Sequence, residues 1–173
     1  MEMKIRQCYR ATRLGVAQGA PITVLHIGEE QTAMVTGTMT EADAVHALFV
    51  GSKRTAVDFF KHDVPTPIEL EHAIMTVEDE IARLRAIGVP ASRLFTYDAG
   101  IREIALIAGV AEQPELNLTL DAVERTFEQL TAVALGKPVA SAGIPLIAAF
   151  AATLLILREF MHHLQFASIT VTA

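Results

Sequence analysis

The fold is decided by residues 22–37, which read ITVLHIGEEQTAMVTG. The segment from Ile22 to Ile27 is compact and rich in β-branched side chains, and Gln31 to Gly37 follows directly after a Gly-Glu-Glu turn. Two such segments joined by a short turn predict a β-hairpin. The next apolar segment, Val45 to Val50, predicts a third strand. The chain should therefore begin its sheet with three consecutive strands.

Helices and further strands follow this meander. Pro67 can occupy a first helical turn, and Thr66 before it can cap a helix that reaches about Ile87 and stops at Gly88 and Pro90. The remaining predicted elements are a short helix over Thr55–Lys61, a strand over Arg93–Tyr97, a helix over Gly100–Val110, a helix from Thr119, an apolar helix over Pro145–Leu164 and a strand over Ser168–Thr172.

The order of the main elements, β-β-β-α-β-α-α-β, predicts an α/β fold with a mixed five-stranded sheet and helices on its faces. This is the order of a ribonuclease-H-like half-domain. The 173 residues are 51% hydrophobic, which is enough for one sizeable core and too little chain to divide well into two domains. We therefore expect residues 1–173 to form a single domain.

The net charge and the cysteine content indicate which cellular compartment and which classes of partner to expect. The formal net charge of −6 argues against a broad polyanion-binding surface, so a nucleic-acid partner is not expected. The single cysteine, Cys8, cannot form an internal disulfide, and no apolar signal core follows the first basic residues, which predicts a cytoplasmic protein. The most hydrophobic stretch, Ile144–Leu157, is shorter than the roughly 20 residues of a membrane span. No membrane association is predicted.

Several short motifs occur in an order that matches one known family. The first stretches are Gln7-Cys8-Tyr9-Arg10 through Gly15-Val16, then HIGEEQT at residues 26–32, then VGSKRT at residues 50–55. They resemble E-E-A-R-L-x-x-x-G-V, D-I-G-G-G-S-T-E and L-G-x-V-R-L-T-E-x-F of exopolyphosphatases and guanosine pentaphosphate phosphohydrolases, the Ppx/GppA family. Weaker likenesses follow at residues 65–71, 93–105, 118–121, 143–156 and 169–173.

The resemblance implies a degenerate, shortened member of that family, similar to its later actin-like half. Gln7 then occupies the position of the family's catalytic glutamate and cannot accept a proton from water at neutral pH, so no catalytic residue is assigned. His26 replaces the aspartate of a phosphate loop, and acidic residues replace its glycines. The implied vestigial phosphate-loop positions are His26, Gly28, Glu29, Glu30, Thr32, Tyr97, Asp98 and Gly100. We expect poor phosphate affinity.

Two groups of residues invite alternative interpretations. Lys53 and Arg54 are the best remaining candidates for an anion contact, although a solvated turn before a helix is the plainer interpretation. His26, Glu29 and Glu30 could bind zinc or manganese, but a charged hairpin turn is the plainer interpretation.

The other histidines and the cysteine give weaker support for a functional site. His162 and His163 are adjacent on a helix and point about 100° apart, so they cannot both bind one ion in the usual helical manner. We interpret them as a feature of a helix C-terminus. Cys8 with His26 could form a thiol pair, but no surrounding motif supports one.

Three functional hypotheses follow from the resemblance and its departures. The leading one is a noncatalytic, degenerate exopolyphosphatase-like domain that acts as a binding or assembly module and needs no cofactor. The alternative is a magnesium-dependent phosphohydrolase of polyphosphate or a guanosine polyphosphate, completed by a partner chain or dimer mate. The third is a sensor of a small ligand.

Self-association is expected on two grounds. In the family this half packs against a first domain, so a protein partner or a second copy should cover the equivalent surface. The Ile144–Leu157 helix, with Phe150, Leu154 and Leu157, is also too apolar to be covered fully within a small domain. A homodimer is the commonest way to cover such an apolar surface, and we expect one here.

Overall fold

A six-stranded mixed sheet forms the centre of the structure, a computed structural model that describes residues 1–87 and 91–173. The strands follow the order β3-β2-β1-β4-β6-β5 across the sheet. The pairs β1–β2, β2–β3 and β5–β6 are antiparallel, whereas β4 lies parallel to both β1 and β6. Their bounds are β1 Ile22–Ile27, β2 Thr32–Gly37, β3 Ala44–Leu48, β4 Arg93–Thr96, β5 Glu115–Thr119 and β6 Ser168–Thr172.

Helices cover the sheet unequally on its two faces. The bounds are α1 Glu2–Leu14, α2 Ser52–Phe59, α3 Pro67–Ile87, α4 Ala99–Ile107, α5 Leu120–Ala134 and α6 Ala148–His163. Helix α6 packs against α2, α3, α4 and α5, and these helices share the larger apolar core with one face of the sheet. Helix α1 covers β1 and β2 on the other face through a smaller core that includes Ile5, Tyr9 and Val35.

The predicted mixed sheet with helices on its faces is confirmed, but the predicted number of five strands is wrong. The additional strand, β5, reads Glu-Leu-Asn-Leu-Thr and buries only Leu116 and Leu118. It lies at the edge of the sheet and is short, and its last two residues lead directly into α5. For this reason the sequence interpretation assigned Leu118 and Thr119 to a helix start alone. Thr119 is the N-cap of α5 and accepts a hydrogen bond from the Ala122 amide at 3.2 Å.

Several helix boundaries also differ from the predictions. Helix α1 was not predicted at all, and α2 begins at Ser52 rather than Thr55 because carbonyl groups outside the helix accept hydrogen bonds from its first amides. Helix α6 begins at Ala148, after Pro145. The predicted stop of α3 at Gly88 and Pro90 lies outside the described residues.

Helix α6 is the best-buried helix, which corrects one ground for expecting a dimer. Phe150 is 7% exposed, and Leu154 and Leu157 are each 0% exposed. Because α6 is surrounded by four other helices, its apolar side chains need no second copy to cover them. In the described part of the chain, no helix combines the length and the apolar character that a bilayer span requires, which agrees with the prediction of no membrane span.

Helix α3 begins with a reciprocal capping arrangement. The Thr66 amide donates to Glu69 Oε2 at 2.8 Å, and the Glu69 amide donates to Thr66 Oγ1 at 3.4 Å, which is a capping box. Glu69 Oε1 also accepts from the Lys61 amide at 3.1 Å. The hydrogen bond from the Thr66 amide lowers the pKa of Glu69 to about 2, against the opposing effect of burial. The carboxylate thus joins the preceding loop to α3.

We predict that Glu69→Gln lowers the free energy of unfolding at pH 7 by about 1–2 kcal/mol, because an amide oxygen accepts hydrogen bonds less strongly than a carboxylate. A lowered folded-state pKa means that the stabilisation is present above the unfolded value of about 4.3. It is lost as the pH falls through about 2. Urea unfolding at pH 7 and pH 3 should show a smaller difference from wild type at pH 3.

The exposed neighbour Glu71 gives the control, since Glu71→Gln should leave the unfolding free energy nearly unchanged at both pH values. A loss for Glu69→Gln that does not vary with pH would contradict the assignment.

Candidate functional site

The candidate site lies where β1 and β4 end. The two strands are parallel neighbours, so their carboxyl ends meet at one edge of the sheet, where ligands bind in many α/β proteins. We call this region the β1–β4 edge and define it as residues 26–32, 51–54 and 96–100. It contains every implied phosphate-loop position together with Lys53 and Arg54.

Asp98 joins the two strands through both oxygens of its carboxylate. Oδ1 lies 2.5 Å from His26 Nδ1, and Oδ2 accepts a hydrogen bond from the Ile27 amide at 2.7 Å. The Asp98 amide donates to Thr96 Oγ1 at 3.2 Å, which orients the residue from its own strand. The His26 and Asp98 side chains are 20% and 11% exposed. His26 is therefore held by Nδ1, which leaves Nε2 available for other contacts.

The turn after β1 packs closely against the start of α2. The Gly28 carbonyl accepts from the Ser52 amide at 2.9 Å, and the Glu29 carbonyl accepts from the amides of Lys53 at 2.9 Å and Arg54 at 3.0 Å. Glycine is required for this approach. A Cβ on Gly51 would lie 2.5 Å from the Glu29 oxygen, and a Cβ on Gly28 would lie 2.8 Å from the Gln31 oxygen.

Five amides at the turn after β1 and the start of α2 are hydrogen-bonded within the chain. Backbone cradles bind phosphate by pointing several free N–H groups at its oxygens. At this edge Ile27 donates to Asp98, Gly28 donates to the Gln31 carbonyl at 3.0 Å, and the first three amides of α2 donate to the turn. These five N–H groups are satisfied within the chain.

The charged side chains at the edge are mainly solvent-exposed. Lys53 Nζ lies 3.9 Å from Glu29, and Arg54 Nε lies 3.6 Å from Asp58. Exposed pairs of this kind contribute about 0–1 kcal/mol because water screens them. Glu30 is also exposed. Water therefore screens the charges of both Glu29 and Glu30.

The remaining predicted positions differ in their surroundings, and the hydroxyl of buried Thr32 has no hydrogen-bond partner in the described part of the chain. The Tyr97 hydroxyl lies 3.1 Å from Thr12 Oγ1 and so connects the edge to α1. Thr32 is fully buried at the start of β2. Gln7 lies on the exposed face of α1, close to Arg6 and Arg10.

The structure gives no support for a Cys8–His26 thiol pair, or for a metal site formed by His26, Glu29 and Glu30. Burial raises the pKa of the Cys8 thiol, and the Asp98 charge adds to this while Lys4 opposes it, so the thiol is protonated at neutral pH. In the described residues, His26, Glu29 and Glu30 do not form a group whose donor atoms could share one ion. The His26–Asp98 pair was not predicted, since 72 residues separate its members.

Comparison with known proteins identifies the fold. The type II variant of a Ppx/GppA phosphatase from Aquifex aeolicus matches with a TM-score of 0.80 and 17% identity, over 98% of this chain and 59% of that one. An exopolyphosphatase from Cytophaga hutchinsonii matches with a TM-score of 0.73 and 17% identity, over 95% of this chain and 57% of that one. The chain has the Ppx/GppA fold. No protein-family model and no curated protein sequence matches it.

This result confirms the predicted ribonuclease-H-like, actin-like α/β fold. The chain spans 59% and 57% of the length of those two Ppx/GppA structures. Identity of 17% establishes a shared fold and not a shared activity. What the chain does must therefore be argued from its own residues at the β1–β4 edge.

We predict that Gly51→Ala lowers the free energy of unfolding by about 1–3 kcal/mol, because overpacking forces backbone to move. Its new methyl group would lie 2.5 Å from the Glu29 oxygen and 2.6 Å from the Gln31 nitrogen. Gly100→Ala is the matched control at the same edge. There the nearest atom is Thr153 Cγ2 at 3.7 Å, an ordinary contact.

Because Gly100 lies in α4, alanine should leave stability unchanged or raise it by about 0.5–1 kcal/mol. Urea unfolding of both variants tests the pair. Equal stability of Gly51→Ala and wild type would show that the turn and α2 do not approach as closely as described.

Proposed function

We propose that this chain is a noncatalytic, degenerate exopolyphosphatase-like domain that acts as a binding or assembly module in the cytoplasm. The observation that carries the proposal is the internal pairing of the amides of Ile27, Gly28 and the first three residues of α2. A polyphosphate would have to compete with these hydrogen bonds, which stabilise the fold by about 0.5–1.5 kcal/mol each.

The residue expected to activate water also supports a noncatalytic role. Gln7 carries a neutral amide, which does not act as a general base at neutral pH. Lys53 and Arg54 each lie near an acidic side chain of the chain itself, so their charges are partly compensated before any anion arrives. Binding of phosphate, nucleic acid or another polyanion is therefore not part of the proposed function.

The assembly role is supported by an exposed apolar groove between α3 and α5. Met75 is 59% exposed and Leu135 is 76% exposed, and the groove is also lined by Pro67, Leu70, Ile74 and Ala134. A second copy of this chain is the proposed occupant, because closed two-fold pairing is the commonest form of oligomer among soluble proteins. The proposed homodimer thus uses this groove and not α6.

One observation favours the hydrolase alternative. Asp98 holds His26 through Nδ1, and an imidazole oriented in this way can accept a proton at Nε2. In that alternative His26 replaces the lost glutamate as general base. A partner chain or dimer mate then supplies the phosphate contacts and magnesium.

A phosphate-release assay and light scattering on the purified chain test the noncatalytic proposal and the homodimer. We expect no release of phosphate from polyphosphate with Mg²⁺ above the blank, and a light-scattering mass of twice 18.7 kDa. Gln7→Glu should not create activity, since the amides of the edge remain engaged.

The assay is repeated with the product of any neighbouring gene, and His26→Ala is the matched variant. A magnesium-dependent rate that His26→Ala abolishes would contradict the noncatalytic proposal and support the alternative. A mass of 18.7 kDa would contradict the homodimer.

A further inference from the structure

Three metal-binding side chains meet between α3 and the end of α6. Glu159 and His163 are four residues apart on α6 and so lie on one face of the helix, and Glu78 on α3 faces them. His163 Nε2 lies 3.2 Å from Glu78 Oε1 and 3.2 Å from Glu159 Oε2. One donor atom from each of the three residues lies within 4.8 Å of the others. Their donors therefore converge on one small volume.

These separations match those between ligands of one metal ion. Ligands about 2.0–2.1 Å from a zinc ion at tetrahedral or octahedral angles lie about 3.0–3.4 Å from each other. The two N–O distances of 3.2 Å fall in this range. A metal ion bound by His163 Nε2 and the two carboxylate oxygens could thus replace the direct contacts between them.

Burial and charge also favour a cation. The Glu159 side chain is only 2% exposed, and a buried carboxylate needs compensation. Arg158 donates to its Oε1, which leaves Oε2 to face His163. Glu124 also lies close, with Oε1 3.7 Å from Arg158 Nε. Three carboxylates and one guanidinium leave a formal charge of −2 when the imidazoles are neutral, which a divalent ion would balance.

The solvent side of the cluster remains accessible. The side chains of Glu78 and His163 are 44% and 27% exposed, so an ion can enter from water and keep water in its open positions. His162 does not take part, because its Nδ1 lies 3.3 Å from Glu124 instead. The sequence interpretation of the two histidines did not include Glu78, which is 85 residues from His163.

We propose that Glu78, Glu159 and His163 bind one divalent transition-metal ion, with zinc preferred, and that this ion links α3 to α6. Two carboxylate oxygens and one imidazole nitrogen suit zinc or manganese better than calcium or magnesium, which favour oxygen ligands alone. The proposal does not depend on the proposed function, because none of the three residues belongs to the β1–β4 edge.

The test is a calorimetric titration of the chelator-treated 173-residue chain with zinc chloride. We expect one zinc ion per chain, and a weakening of about tenfold or more for Glu78→Gln and for His163→Gln. His162→Gln is the matched control, because it removes an adjacent imidazole that faces Glu124, and its zinc affinity should equal that of wild type. Magnesium and calcium should compete poorly.

The wild-type protein provides a second readout that does not require a variant to fold. In ring-nitrogen NMR spectra, zinc should shift the Nε2 resonance of His163 and leave His162 nearly unchanged. The absence of saturable zinc binding would overturn the proposal and leave a hydrogen-bonded cluster of side chains. Binding that shifts another histidine, or that is unaffected in both Glu78→Gln and His163→Gln, would also overturn it.

Discussion

The carboxylate of Asp98 constrains the ends of two strands at once. One oxygen receives the Ile27 amide at the end of β1, and the other lies beside His26. Asp98 occupies the N-cap position of α4, yet its side chain makes no capping hydrogen bond and reaches across to the neighbouring strand instead. Asp98 therefore connects the end of β1 to the start of α4, and α4 in turn packs against α6.

A second constraint is the close approach of the turn after β1 to α2. Two carbonyl groups of the turn cap the first amides of the helix, and this approach requires that Gly51 lack a side chain, while Gly28 allows the turn itself to close on Gln31. Glycines at such a place are usually associated with phosphate binding, since they let backbone approach a ligand. In this chain the glycine at the start of α2 lets the backbone of the helix approach the backbone of the turn after β1. The same residue type thus supports hydrogen bonds between the turn and α2 inside the chain.

The sequence correctly predicted the elements that have clear β-branched, turn or helix-capping patterns. The hairpin from Ile22 to Gly37, helix α3 with its Thr66 cap and the last strand from Ser168 agree closely with the structure. Strand β5 was missed because its five residues gain most of their stability from pairing with β6, which lies about 50 residues later in the chain. Propensity alone carries little information about such an edge strand.

The candidate site was only partly predictable for a related reason. The resemblance identified His26 and Asp98 as positions of interest, but their contact spans 72 residues and depends on the parallel pairing of β1 with β4. The cluster of Glu78, Glu159 and His163 likewise requires α3 to pack against α6. Side-chain chemistry can be read from sequence, whereas the convergence of distant side chains follows from the fold.

The proposed noncatalytic role depends on the amides of Ile27, Gly28 and the first three residues of α2 being engaged within the chain and unavailable to phosphate. The most direct measurement is a titration of isotopically labelled protein with tripolyphosphate and Mg²⁺, followed by amide NMR. We expect no saturable shift for Ile27, Gly28, Ser52, Lys53 or Arg54. Saturable shifts at these five amides, in excess of those at exposed residues elsewhere, would show that the edge opens to receive phosphate and would contradict a noncatalytic role based on engaged amides.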